Sequence, residues 1–222
     1  LYEGMAEISD SYGGKVVGGD IVRSETFFIS VTIVGAPIDS LVMRRDKATY
    51  GDLVAVTGHL GCSAAGLRII KENLSFPSDA EKHFTQTHFR PLPRIELGLS
   101  LARQGIECAM DVSDGLLNDL SKICTASNVS ATVSVSDLPV HEKLQSCFPN
   151  IWDQLAVGGG EDYELLFTIP RNLINKISQH SDVEFKIIGE ITEGSRGVTI
   201  IGPTGKSMDY STGGWDHFRE HA

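Results

Sequence analysis

The feature that most constrains this chain is a polar segment that separates an apolar strand pattern from an amphipathic helix pattern. Residues 106–110 are typical of a strand, and residues 115–127 place apolar side chains on one face of a helix. Between them stands DVSDG at 111–115. Because ligands bind where the strands of a sheet end and helices begin, this segment is the first candidate for a functional site.

The DVSDG segment has two interpretations that spacing alone leaves open. In the first, Ser113 or Asp114 caps the following helix and Gly115 shapes the turn. That interpretation leaves Asp111 unexplained, since its carboxylate would lie close to that of Asp114 and the two would repel without a cation. The second interpretation is a site for Mg²⁺, which prefers hard oxygen ligands of this kind.

Two glycine-rich segments carry further acids. A glycine pair precedes Asp20, and three consecutive glycines precede Glu161 and Asp162. Glycines let a ligand approach the backbone closely, and the carboxylates add negative charge for a metal ion. Each segment is equally typical of a tight turn, so neither establishes a site by itself.

Composition narrows the class of function. The net charge is −10, from 19 basic and 29 acidic residues, which disfavours binding to nucleic acid. A small phosphate-bearing ligand remains compatible, because a divalent metal on carboxylates reverses the local charge. No apolar run is long enough for a membrane span, and no signal-peptide pattern is present. Four cysteines without a C-x-x-C pair indicate reduced thiols, so we expect a cytoplasmic protein without a zinc site.

Strand and helix patterns alternate irregularly, which predicts an α+β fold with a mixed sheet rather than a doubly wound one. We expect residues 1–37 to be the C-terminal part of a first domain, with a long strand over 27–34. Residues 38–222 are expected to form a C-terminal α+β domain. Within it, 75–92 are predicted to be loop or irregular helix, and 155–160 a glycine-rich turn.

Five segments follow one another in an order that resembles a known family. They are VGGDIVRS at 17–24, RRDKATYGDLVAVTGHLGCSAAGL at 44–67, MDVSDGLLNDL at 110–120, GGGEDYELLFTIP at 158–170 and GGWDHF at 213–218. This order resembles the thiamine-monophosphate kinase family. That family belongs to the ATP-binding superfamily of aminoimidazole ribonucleotide synthetase and selenophosphate synthetase. The resemblance covers essentially the whole chain, and its fourth and fifth segments are the most specific.

The resemblance implies an enzyme that transfers the γ-phosphoryl group of ATP to thiamine monophosphate, giving thiamine diphosphate, with several Mg²⁺ ions. It implies direct in-line attack by a phosphate oxygen of the acceptor, without a covalent nucleophile on the protein. It further implies an N-terminal domain whose strands form a dimeric barrel, and hence a homodimer. The apolar segment 27–34 would then be covered in that interface.

Nine residues match functional positions of the family. They are Asp20, Asp111 and Asp114 for metal; Tyr2, Gly19, Asp20, Arg45 and Ser113 for ATP; and Glu161 and Trp215 for the thiamine substrate. Trp215 would offer its aromatic face to the cationic thiazolium ring.

The sequence departs from the family pattern in three ways. Ile21 stands where a threonine commonly follows Gly-Gly-Asp, and Asp46 adds an acid beside Arg45. The family's opening segment, with its G-D-D-A carboxylates, has no match here, so we expect residues 1–222 alone not to turn over. Two alternatives stay open, and Ile21 and Asp46 bear on the second of them. One is another ATP-dependent synthetase of the superfamily, of selenophosphate or purine-biosynthesis type, and the other is a non-catalytic nucleotide- or metal-binding module.

Overall fold

The computed structural model describes residues 1–179, 184–194 and 196–210. Contacts between Cα atoms divide the chain into a first unit, Leu1–Ser40, and a second, Leu41–Ala222. In the first unit, helix α1 spans Tyr2–Tyr12 and a 3₁₀ turn spans Ile38–Ser40. The assignment of residues 1–37 to the end of a dimerising domain stays a prediction.

The strand predicted over residues 27–34 is absent from the first unit, where this segment forms neither helix nor strand. A strand is held by hydrogen bonds to a neighbouring strand, and no other segment of residues 1–40 forms one. The apolar side chains are therefore left in solvent, with Phe27 88% and Ile33 89% exposed. β-Propensity without a pairing partner does not produce a sheet, so this prediction is wrong for the described chain.

The second unit is built on a mixed sheet, which has seven strands in the described part of the chain. They are β1 (Leu53–Thr57), β2 (Ala109–Asp111), β3 (Ser130–Ser134), β4 (Leu165–Ile169), β5 (Phe185–Thr192), β6 (Val198–Ile201) and β7 (Ser207–Met208). The order across the sheet is β2-β4-β1-β5-β3-β6-β7. Every neighbouring pair is antiparallel except β3 and β6, which are parallel. The mixed sheet predicted from the irregular alternation is confirmed.

Helices cover both faces of this sheet. They are α2 (Cys62–Glu72), α3 (Ser78–Phe89), α4 (Ile95–Gln104), α5 (Leu116–Ser127), α6 (Glu142–Cys147), α7 (Trp152–Gly158) and α8 (Ile174–Ser178). Alternate residues of β1 point to different cores: Val54 and Val56 join Leu120 of α5, whereas Ala55 joins Leu101 of α4. No helix of the described residues has the length and apolar character needed to cross a membrane.

Helix α3 corrects the prediction of loop or irregular helix over 75–92. Its sequence is weakly apolar, but Ala80 and Phe84 are fully buried anchors. They pack against α2, where the Cβ of any residue replacing Gly66 would lie 2.2 Å from the carbonyl oxygen of Phe84. Close helix packing therefore stabilises a helix that local composition does not predict.

The glycine-rich turn predicted over 155–160 begins later than expected. Helix α7 continues to Gly158, and the turn proper starts at Gly159. Ala156 and Val157 are buried in the main core, and this burial holds the helix to its last residue.

Candidate functional site

The DVSDG turn connects the end of β2 at Asp111 to the start of α5, and its backbone is held by a single buried acid. One carboxylate oxygen of Asp119 accepts the N–H groups of both Ser113 and Asp114, each at 2.9 Å. Asp119 has no exposed surface, and the residue at the N-cap position, Gly115, has no side chain to cap with. The capping interpretation of Ser113 or Asp114 is therefore wrong. The carboxylates of Asp111 and Asp114 therefore take no part in capping α5.

Lys122 lies one turn after Asp119 along α5, and its ammonium is a cation beside Asp114 and Asp119. Its Nζ donates to the carboxylate of Asp114 and, at 2.7 Å, to the second oxygen of Asp119. Burial disfavours the ammonium, but the hydrogen bonds to both acids outweigh that effect and raise the pKa of Lys122. Sequence reasoning missed Asp119 and Lys122. The available signal was their i, i+3 spacing, which puts acid and base on one helix face directly after the turn.

The backbone around the GGGED loop, residues 158–162, pairs with the backbone of the DVSDG turn, residues 111–115. The N–H of Val112 donates to the carbonyl of Glu164 at 2.8 Å, and that of Tyr163 donates to Val112 at 2.9 Å. The N–H of Glu161 donates to the carbonyl of Ser113 at 2.9 Å. Two segments about fifty residues apart in sequence are thus joined into one surface, which the glycine and acid patterns alone did not predict.

Glycine is required on both sides of this junction. A Cβ on Gly160 would stand 2.4 Å from the carbonyl oxygen of Ser113. A Cβ on Gly115 would stand 2.7 Å from the carbonyl oxygen of Gly158, and Gly115 has a φ of 104°, in the left-handed region. The triple glycine therefore serves close contact between two backbones.

Three acids lie near enough to Tyr163 for their charges to act on its phenol. Burial raises the pKa of Tyr163, and the charges of Glu161, Asp111 and Asp114 raise it further. Both Glu161 and Tyr163 adopt positive φ, 65° and 52°, which is uncommon for residues other than glycine. The structure therefore brings together three predicted site residues of the second unit: Asp111, Asp114 and Glu161.

The acid that follows Glu161 anchors the loop to α2. Asp162 is buried, and its two carboxylate oxygens accept the N–H groups of Gly61 at 2.6 Å and Ser63 at 3.0 Å. Burial is the largest influence and raises the pKa of Asp162 to about 7. Glu161 itself is half exposed and lies 3.4 Å from Nδ1 of His88. The loop is therefore fixed by Asp162 and presents Glu161 outward.

A pocket of about 430 Å³ opens beside Asp111 and Tyr163. Its other lining residues are mostly apolar: Leu41, Met43, Pro93, Arg94, Ile95, Gly98, Leu99, Ala102 and Leu165. This arrangement can hold an apolar or aromatic group next to a site that carries negative charge.

Arg45 lies away from these acids along α5. The backbone carbonyl of Arg45 accepts a hydrogen bond from Oγ of Ser127, the last residue of α5. Asp114, by contrast, lies just before the first residue of this helix. A helix of this length spans about 18 Å. The neighbouring acid Asp46, a departure from the family pattern, forms a two-point pair with Arg44 at 2.8 and 2.5 Å, so its charge is balanced locally.

Three further predicted residues, Tyr2, Gly19 and Asp20, belong to the first unit. Tyr2 belongs to α1 of the first unit and is 56% exposed. Gly19 and Asp20 are exposed in the same unit, where Asp20 accepts the N–H of Ile21 at 2.8 Å. Their convergence with the acids of the second unit stays a prediction. Trp215 falls outside the described residues.

The acids fit a metal that a ligand helps to hold. Among the described residues, no three His, Cys, Asp or Glu side chains are grouped closely enough to hold a metal ion on their own. Mg²⁺ is commonly held by one or two carboxylates together with substrate phosphates and water. The carboxylates of Asp111, at the end of β2, and of Asp114, which exchanges its contact with Lys122 for a metal ion in such a site, match that donor set.

Comparison with known proteins gives first the broad class of the domain and then the family. Residues 49–202 match the family described as AIR synthase related protein, C-terminal domain. The thiamine-monophosphate kinase of Bacillus subtilis is 33% identical over 99% of this chain and 69% of its own length. That of Haemophilus influenzae is 36% identical over 94% of this chain and 65% of its own. The chain belongs to the thiamine-monophosphate kinase family.

Solved structures agree with this assignment. A solved structure of AaThiL complexed with AMPPCP and TMP has a TM-score of 0.79 and 29% identity, over 98% of this chain and 67% of that one. The thiamine-monophosphate kinase of Stenotrophomonas maltophilia has a TM-score of 0.66 and 33% identity, over 77% of this chain and 55% of that one. This chain therefore spans about half to two thirds of the length of its relatives.

Proposed function

We propose that this chain carries most of an enzyme that phosphorylates thiamine monophosphate with ATP and Mg²⁺, giving thiamine diphosphate. The observation that carries the proposal is the junction of the DVSDG turn and the GGGED loop. It presents Asp111, Asp114 and Glu161 around one tyrosine while other groups make the structural hydrogen bonds. The reaction itself is inferred from membership of the family.

The charge of the site suits phosphoryl transfer between two anions. ATP and thiamine monophosphate both carry phosphate, and the carboxylates alone would repel them. Asp111 and Asp114 would hold Mg²⁺, with Asp20 as a further ligand, and bound Mg²⁺ neutralises both phosphates and aligns them. No covalent nucleophile is needed, because a phosphate oxygen of the acceptor attacks in line.

The two ends of the nucleotide would contact different parts of the chain. Ser113 lies in the turn between the two carboxylates and is suited to the phosphate end. Arg45, anchored at the far end of α5, is suited to the base or ribose rather than to the transferred phosphate. Tyr2 and Gly19 are proposed nucleotide contacts on family likeness.

For the acceptor we propose Glu161 and Trp215. Glu161 is the exposed acid of the anchored loop, and the negative charge around it favours the cationic thiazolium ring. The similar structure of AaThiL complexed with AMPPCP and TMP supports the pairing of an ATP analogue with this acceptor. We also propose a homodimer, supported by the exposed apolar side chains of residues 27–34, and a cytoplasmic location, supported by the free thiols of the four cysteines.

The test is a product assay with the full-length protein, ATP and Mg²⁺, following thiamine diphosphate and ADP by chromatography. Equal amounts of both products, formed only with thiamine monophosphate, support the proposal. In a parallel arm, thermal shift with Mg²⁺ and AMPPCP compares thiamine monophosphate, selenide and formylglycinamide ribonucleotide. Protection by selenide or the ribonucleotide would favour another superfamily synthetase. ATP protection without ADP formation would favour a non-catalytic module.

A further inference from the structure

One charged side chain beside the site has no part in the function proposed above. Lys122 is about one third exposed, and its Nζ is shared between two acids of different character. Asp119 is fully buried, and its other oxygen is already occupied by two backbone N–H groups. Asp114 is about one third exposed and is a proposed metal ligand.

The two acids cannot release Lys122 equally. A fully buried carboxylate that loses its cation keeps an uncompensated charge away from water, which is costly. A partly exposed carboxylate can exchange a lysine for a divalent ion at lower cost, since the ion brings more charge and water remains in reach. Metal binding at Asp114 would therefore free one N–H group of the Lys122 ammonium, while Asp119 keeps the ammonium in place.

We propose that Lys122 is an additional phosphate-binding residue: held by buried Asp119, its ammonium pairs with Asp114 until a metal–phosphate complex binds there, and then donates to a phosphate oxygen. This inference rests on the proposed function for the metal at Asp114. The geometry supplies the rest, because the freed donor stays directly beside the carboxylate that binds the metal. A lysine tethered in this way suits an anion with the charge of a polyphosphate.

The proposal predicts two opposite shifts for Lys122→Met in the full-length protein. Removing a cation that competes for Asp114 should strengthen Mg²⁺ binding by about two- to tenfold. Removing a charged donor should weaken binding of inorganic tripolyphosphate at saturating Mg²⁺ by roughly tenfold or more. Both affinities are measured by calorimetry, so neither depends on turnover. Lys122→Arg, which keeps the charge and the donors, should restore most of the tripolyphosphate affinity.

Lys122→Met leaves Asp119 charged and buried, so the variant could fail to fold for that reason alone. The double variant Lys122→Met/Asp119→Asn removes this charge and keeps an amide oxygen for the N–H groups of Ser113 and Asp114. It should show the same opposite shifts. The matched control is Lys143→Met, whose lysine is 30% exposed and pairs with Asp79 at 2.8 Å on another part of the unit. It should change neither affinity.

Parallel loss of both affinities, or unchanged tripolyphosphate binding in the double variant, would overturn the proposal and leave Lys122 a structural counter-ion. A wild-type protein that binds no Mg²⁺–tripolyphosphate would overturn both this inference and the proposed function. A protein that binds it with the opposite shifts, yet does not phosphorylate thiamine monophosphate, would remove the proposed reaction and keep the role of Lys122.

Discussion

Arg94 and Glu164 form a two-point ion pair at the side of the candidate site. Nε of Arg94 donates to one carboxylate oxygen at 2.8 Å, and Nη2 donates to the other at 2.6 Å. Glu164 is buried and also accepts the hydroxyl of Thr57 at 2.6 Å. The pair ties the start of α4 to the segment that carries the GGGED loop. Arg94 also contributes to the wall of the apolar pocket.

Replacement of Arg94 by methionine should therefore cost stability. The variant leaves the buried charge of Glu164 without its cation, and we expect the free energy of unfolding to fall by about 2–3 kcal/mol. Urea denaturation followed by circular dichroism measures this. The control is Arg171→Met, because Arg171 pairs with Glu190 at 2.8 Å where both side chains are mostly exposed. A loss of about 0.5 kcal/mol or less is expected there, and equal losses would contradict the argument.

Gly160→Ala should separate the two loops of the site. The new Cβ would collide with the carbonyl oxygen of Ser113, so the backbones must move apart. We expect a loss of about 1–3 kcal/mol in stability and a fall of about 100-fold or more in kcat/KM. Gly197→Ala is the matched control, since a Cβ there meets nothing within 4 Å. Wild-type kinetics in Gly160→Ala would show that the close approach does not matter.

Asp162 should give stability a distinctive dependence on pH. Its pKa is raised to about 7 in the folded state, chiefly by burial, from about 4 when unfolded. Between these values the folded state binds more protons than the unfolded state, so stability falls as pH rises from 4 to 7. The loss is up to about 4 kcal/mol, and it should disappear in Asp162→Asn.

The measurement for Asp162 is the difference in unfolding free energy between wild type and Asp162→Asn at pH 4 to 8, in which other groups cancel. The same difference taken with Asp79→Asn is a control of opposite sign, because the hydrogen bond to Lys143 lowers the pKa of Asp79. The contribution of Asp79 is present above its unfolded pKa and is lost as pH falls. A flat or rising difference for Asp162 would mean that its two N–H bonds outweigh its burial.

Asp111→Asn should abolish turnover while the fold survives. Asp111 is exposed at the end of β2, and the change removes charge without removing volume. We expect kcat to fall by about 1,000-fold or more, with a change in melting temperature of less than about 2 °C. The control is Asp137→Asn, an exposed acid after β3. Activity within about tenfold of wild type would show that Asp111 does not hold the metal.

The site was partly predictable, and particular residues show where prediction stops. DVSDG stands between a strand and a helix in the sequence, so Asp111 and Asp114 could be singled out from local pattern. Asp119 could not, because its two hydrogen bonds to the turn depend on the path of the backbone. Helix α3 was missed for a similar reason, since Phe84 is held by its contact with α2 rather than by a periodic pattern.

Local sequence determined the mixed succession of strands and helices, the family, and the acids that are candidates for the site. These follow from side-chain periodicity and residue order, which need no knowledge of distant neighbours. Tertiary structure alone decided that the GGGED loop lies on the DVSDG turn, and that Asp162 binds the backbone at the start of α2 while Glu161 faces outward. These are contacts between segments remote in sequence, and close packing of the backbone fixes them where no local rule can.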